Sequence, residues 1–223
     1  MMLITILKVL LIGNSLTYYN NFYQQITDKC SDVNAKVQID TMFMPGANIP
    51  QLIGLNIILN EQNILDSNWN LKPQFRYYNT SNLFHINFKK LILNYDAIYL
   101  QPNNWTNKDC IEIIKCMLKI NPKLKIIIYQ HFSFAVWDKE IYENELQSSY
   151  KVFIKEFKKH IDKRIFIVDF GEFIKTNINT WDRYLDRDLH PTKLGTSIMV
   201  EKLFEFLKKI INERENSYKC MKM

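Results

Sequence analysis

Short apolar runs rich in β-branched residues recur along the chain, separated by longer stretches with helical periodicity. Residues 8–13 (KVLLIG), 36–42 (KVQIDTM), 96–101 (DAIYLQ), 123–130 (KLKIIIYQ) and 164–170 (RIFIVDF) are nearly continuous in hydrophobicity. Strands covered on both faces need that pattern, whereas strict alternation marks a sheet with one wet face. Helical patterns fall near 17–29, 48–59, 107–120, 138–161 and 193–213. In the last of these, Leu194, Ile198, Leu203, Phe206, Leu207 and Ile210 follow one stripe. Regular alternation of strand and helix predicts a three-layer α/β/α fold around a five-stranded parallel sheet in flavodoxin-like order. Residues 60–95 break the rhythm with an aromatic-rich insertion holding Trp69, Phe75, Tyr77, Tyr78, Phe84 and His85, helical in part over about 82–94. No repeat, low-complexity tract or linker divides the chain, so residues 1–223 are read as one domain.

Composition narrows the classes. The 223 residues are 47% hydrophobic and 23% charged, enough to bury a full core and to exclude wholesale disorder. A net charge of +6 invites a nucleic-acid reading. The lysines are scattered, however, and Lys151, Lys155, Lys158 and Lys159 fit the solvated face of a helix, so no nucleic-acid partner is expected. Cys30, Cys110, Cys116 and Cys220 form no CxxC and have no histidine at ligand spacing. They read as reduced structural thiols, with neither a metal nor another cofactor expected. No apolar run reaches the roughly 18–20 residues of a membrane span. Residues 2–12 open like a secretory signal but lack a small-residue cleavage site and lead straight into Gly13-Asn14-Ser15. They read as a first strand, and the protein as cytoplasmic.

In parallel α/β sheets, ligands gather outside the carboxyl ends of the strands. Strand one ends in Gly13-Asn14-Ser15-Leu16-Thr17, which places a serine hydroxyl at a tight turn before a helix N-terminus. Taken alone, Ser15 or Thr17 reads equally as a helix cap. The second strand runs into Met44-Pro45-Gly46-Ala47-Asn48 and the third into Gln101-Pro102-Asn103-Asn104-Trp105. Asp186-Arg187-Asp188-Leu189-His190-Pro191-Thr192 precedes the last helix. A serine, a glycine, asparagines and a histidine therefore share one edge, the set that acyl transfer needs for nucleophile, base and oxyanion donors. G-x-S-x-G, the P-loop and G-x-G-x-x-G are all absent. His85, His131 and His160 lack metal spacing, and His131 reads as structural. Asn14, Asn104, Trp105 and Trp137 lie at the same edge as candidate substrate contacts, the tryptophans suited to stack on a sugar face.

Gly13-Asn14-Ser15-Leu16, Gly46, Asn103 and His190-Pro191, in that order, resemble the four blocks of the SGNH (GDSL-type) hydrolases. The resemblance spans residues 8 to about 210 and implies Ser15 as nucleophile and His190 as general base. It also implies an oxyanion hole from the backbone N–H groups of Ser15 and Gly46 with the Asn103 amide. One departure matters: the position three before the histidine, where this family carries its triad aspartate, is Arg187, which accepts no hydrogen bond. Asp188, Asp186 or a backbone carbonyl remain to orient His190. The function so implied is an esterase acting on small acyl esters, with O-acetyl groups of a carbohydrate as substrate class. An O-acyltransferase and a catalytically impaired carbohydrate- or partner-binding module on the same fold are the alternatives.

Overall fold

The structure, a computed structural model, describes residues 6–14, 16, 19–32, 37–43, 77–79, 82–84, 92–101 and 108–220. Five parallel strands build its sheet: β1 (Leu7–Gly13), β2 (Val37–Phe43), β5 (Ala97–Leu100), β6 (Lys125–Tyr129) and β7 (Ile165–Val168), in the order β2-β1-β5-β6-β7. This is the expected flavodoxin-like order in a three-layer α/β/α architecture. A separate antiparallel pair, β3 (Tyr77–Asn79) with β4 (Asn82–Phe84), lies in the aromatic insertion. The helical reading of about 82–94 is corrected at its start, where 82–84 pair as a strand; 92–94 are helical, and 85–91 lie outside the described residues. Aromatic and apolar residues in the YYN and NLF segments favour strand over helix. The helix expected at 48–59 lies outside the described residues.

The period of two along each strand divides the core. Val9, Leu11, Tyr99, Ile127, Tyr129, Phe166 and Val168 face one side, with α1 (Phe22–Asp32) and α5 (Lys193–Cys220) supplying Phe22, Ile26, Leu203, Leu207 and Ile210. Leu10, Ile12, Ile98, Leu100, Ile126, Ile128 and Ile165 face the other. Against them pack Ile113, Ile114 and Met117 of α2 (Lys108–Ile120) and Phe153 and Phe157 of α3 (Lys139–Phe157). Nearly every one of these side chains is fully buried, which is why the strands read as continuous apolar runs.

Two local departures bear on the site. The helix expected near 17–29 is interrupted: Leu16 is helical, a 3-10 turn follows at Tyr19–Asn21 with Asn20 and Asn21 at left-handed φ values of 51° and 58°, and regular helix runs over Phe22–Asp32. Asparagine tolerates that region better than most residues. The second departure is α4 (Phe170–Thr176), for which the sequence analysis named no helix, and β7 ends at Val168 short of the expected 170. The glycine is there for contact: a Cβ at Gly171 would stand 2.7 Å from Leu146 Cδ1 and 2.8 Å from the His131 carbonyl oxygen. Among the described residues no helix is long and apolar enough to cross a membrane.

Candidate active site

Three sheet strands end in a carboxamide at the edge where ligands gather: Asn14 after β1, Gln101 after β5 and Gln130 after β6. Buried amides persist only where hydrogen bonds replace water. Asn14 and Gln101 satisfy each other. The Asn14 backbone N–H donates to Gln101 Oε1 at 3.3 Å, and Gln101 Nε2 donates to Asn14 Oδ1 at 2.8 Å. Asn14 Oδ1 also accepts the N–H of Leu16 at 3.1 Å, bridging across position 15. At 3% exposure, Asn14 is turned into the fold, where it staples β1 to β5 and holds the N–H of Leu16, so the substrate contact expected of it is corrected to a structural role. Neither its partner Gln101 nor that role was read from the sequence; an amide closing each of two apolar runs is the available signal.

The last-helix motif folds as a tight hairpin. Leu185 and Pro191 form an antiparallel bridge, Asp186 N–H donates to the His190 carbonyl at 2.7 Å, and Leu189 N–H donates to the Asp186 carbonyl at 2.9 Å. With Leu189 at φ 63°, this is the bond pattern of a three-residue hairpin loop, a turn followed by a left-handed residue. Glycine is the usual occupant of that last position, and a leucine there holds about 1 kcal/mol of backbone strain. Asp188 is thereby turned back on His190. Its Oδ1 accepts the His190 backbone N–H at 3.2 Å, an Asx-type bond, and its Oδ2 stands 3.0 Å from His190 Nδ1. The His190 backbone N–H first, and its ring second, hold the Asp188 carboxyl below the usual carboxylate range. The Asp186 main chain closes the hairpin instead.

Helix α5 and the loop after β1 brace the hairpin from two sides. Thr192 Oγ1 accepts the N–H of Gly195 at 3.1 Å, capping α5, and donates to the Arg183 carbonyl at 2.8 Å. Gly195 lets the helix approach: a Cβ there would lie 2.1 Å from the Tyr184 carbonyl oxygen, the acceptor of the Thr192 N–H. From the other side, Asn20 Nδ2 donates to the Pro191 carbonyl at 2.6 Å and to Thr196 Oγ1 at 3.1 Å. The Tyr19 ring stacks on the His190 imidazole, with centroids 4.5 Å apart and planes at 18°. The stretch immediately following Ser15 in sequence thus reaches the histidine. Ser15, Gly46, Asn103, Asn104 and Trp105 themselves lie outside the described residues.

The loop after β6 carries the remaining candidates. His131 is buried, its Nδ1 against the Phe132 carbonyl, and burial lowers its pKa to about 4. A neutral ring donating from Nδ1 satisfies that carbonyl, which is the structural role expected of it. Trp137 is 72% exposed and Phe134 56%, so this loop presents two aromatic faces to solvent. Among the described residues no three His, Cys, Asp or Glu side chains come together to hold a metal ion.

No protein-family model matches the sequence, and no curated protein does. Among solved structures the chain is similar to a family 3 carbohydrate esterase from Clostridium thermocellum, at 12% identity and a TM-score of 0.61, covering 94% of this chain and 98% of that one. It is similar also to a psychrotrophic esterase from Pseudoalteromonas sp., at 10% identity and a TM-score of 0.53, covering 92% and 98%. A member of the lipolytic G-D-S-L family from Veillonella parvula matches at 14% identity and a TM-score of 0.51, covering 89% and 97%. At such identities the likeness is one of fold.

Proposed function

We propose that this chain, which has the fold of the SGNH hydrolases, is a serine esterase with Ser15 as nucleophile, His190 as general base and Asp188 as the carboxylate that orients the base. The observation that carries the reading is the Asp188–His190 contact of 3.0 Å at Nδ1, which leaves Nε2 as the ring nitrogen for the proton of a nucleophile. Fixing Nδ1–H toward a carboxylate selects the tautomer a base requires and stabilises the imidazolium formed during attack. The contact also weighs against the impaired-module alternative on one of its grounds, the arginine at position 187; the basic charge and the aromatic insertion, its other grounds, are untouched by it.

In the proposed reaction Ser15 Oγ attacks the acyl carbon of an ester while His190 Nε2 takes its proton. The oxyanion forms against the backbone N–H groups of Ser15 and Gly46 and the side-chain amide of Asn103. The tetrahedral intermediate collapses, His190 returns the proton to the leaving alcohol, and the acyl group remains on Ser15. Water, deprotonated by the same histidine, then attacks the acyl-enzyme and releases the acid and the serine. The carbohydrate-esterase neighbour and the exposed Trp137 support O-acetyl groups of a carbohydrate as the substrate class. The Asn14–Gln101 staple assists by fixing Asn14 and, through its bond to the Leu16 N–H, the residues flanking Ser15. A fluorophosphonate probe followed by peptide mapping tests the assignment. Modification at Ser15, abolished in Ser15→Ala and strongly slowed in His190→Ala, is expected; labelling elsewhere or not at all defeats it.

A further inference from the structure

Tyr19 belongs to none of the sequence blocks, yet its ring lies on the His190 imidazole at 4.5 Å and 18°. We infer that Tyr19 is a positioning residue, a flat wall on one face of the base that fixes the plane of its ring; the inference rests on the proposed role of His190. The imidazole has two ways to leave a productive pose, rotation about its Cβ–Cγ bond and swing of its backbone. The hairpin and the Asn20 bonds to Pro191 and Thr196 restrain the swing. Asp188 Oδ2 stands 3.0 Å from Nδ1, but its side chain is 61% exposed, so solvent screens the pair. An aromatic wall opposes rotation without depending on charge.

The position of the wall is itself built. Asn20 and Asn21, at φ 51° and 58°, close a 3-10 turn directly before α1, and Gln25 Nε2 donates to the Asn20 carbonyl at 2.8 Å. One asparagine side chain thus ties the base loop down while the neighbouring tyrosine covers the ring. When the imidazole takes a proton in the transition state, its charge rises against the π face of Tyr19, an interaction stronger there than in the ground state. The effect therefore falls on kcat and spares KM.

Tyr19→Leu should lower kcat for a short acyl ester about three- to tenfold, the span of one aromatic pair, with KM unchanged. Tyr19→Phe should recover most of that loss, since the ring face and not the hydroxyl does the positioning. Proton NMR gives a signature independent of turnover. The His190 ring protons, assigned with His190→Ala, should sit upfield in the native chain through the tyrosine ring current, return downfield in Tyr19→Leu and stay upfield in Tyr19→Phe. Wild-type kcat in Tyr19→Leu, a Phe variant as slow as the Leu variant, or a native His190 signal without the upfield shift each overturns the inference. If the native chain turns over no ester while the shift is present, the esterase reading falls and the stack stands.

Discussion

Asp188 grips His190 at two points, one carboxylate oxygen on the backbone N–H at 3.2 Å and the other 3.0 Å from Nδ1. A single side chain thereby sets both the hairpin and the ring. Asp188→Asn keeps the shape, loses the charge and offers Nδ1–H a poorer acceptor. A buried triad aspartate is worth about 10⁴ in kcat. Because this carboxylate is 61% exposed and water can replace it, the expected loss is smaller, about 10- to 100-fold. Asp186→Asn retains the main-chain bonds that residue contributes and should stay within about twofold of the parent. Steady-state hydrolysis of a short acyl ester by both variants makes the comparison, and the reverse ranking would move the carboxylate role to Asp186.

Gly195→Ala should damage stability and turnover together. The added methyl meets the Tyr184 carbonyl oxygen at 2.1 Å, so either α5 or the hairpin must move. Overpacking of this kind costs about 1–3 kcal/mol. At this chain length that is roughly a 2–10 °C fall in melting temperature. A thermal melt and a kcat measured well below the melt are needed together, since unchanged values of both would show that the loop yields at no cost.

Acid should weaken the fold through His131. The unfolded chain takes up its proton near the ordinary value of 6.5, while burial lowers the folded pKa to about 4. Between those values the unfolded state binds more protons, so stability falls as pH drops and levels off below pH 4. The full difference is on the order of 3 kcal/mol. His131→Asn keeps a donor for the Phe132 carbonyl and titrates nowhere in this range. Urea melts at pH 7 and pH 5 should show a smaller pH effect in the variant; equal slopes would place the acid sensitivity elsewhere.

Asn103→Ala removes one proposed oxyanion donor and should lower kcat by about 10²–10³ with little change in KM. An effect confined to KM would make Asn103 a binding residue and shift the oxyanion role to its neighbour Asn104.

The five sheet strands were legible because burial on both faces forces long β-branched runs, such as KIIIY in β6, that no other element here repeats. Of the chemical residues, Asn14 follows β1 and His190 precedes the last helix as read, while Ser15, Gly46 and Asn103 lie outside the described residues. The hairpin at 185–191 was not legible. Leu189 occupies a left-handed position that glycine or asparagine normally announces, so the segment reads as extended. In an extended chain Asp186 and Asp188 share His190's parity, and sequence proximity gives Asp188 only a narrow preference; the turn separates them by giving one its main chain and the other its carboxylate to the histidine. Tyr19 and Gln101 escaped for another cause, since their partners lie 171 and 87 positions away.

That long separation also orders events in the life of the molecule. The bond from Asn20 to Pro191 closes a loop of 171 positions, among the most distant ties in the chain. A contact of that span forms late in folding, after the sheet has gathered around its local crossovers. The same tie is only part-buried and ends on a strained hairpin held by a handful of hydrogen bonds, so it is also among the first to open on warming. Catalytic competence should therefore vanish reversibly at temperatures where the parallel sheet is still intact, leaving a window in which the protein is folded by circular dichroism and silent as an enzyme.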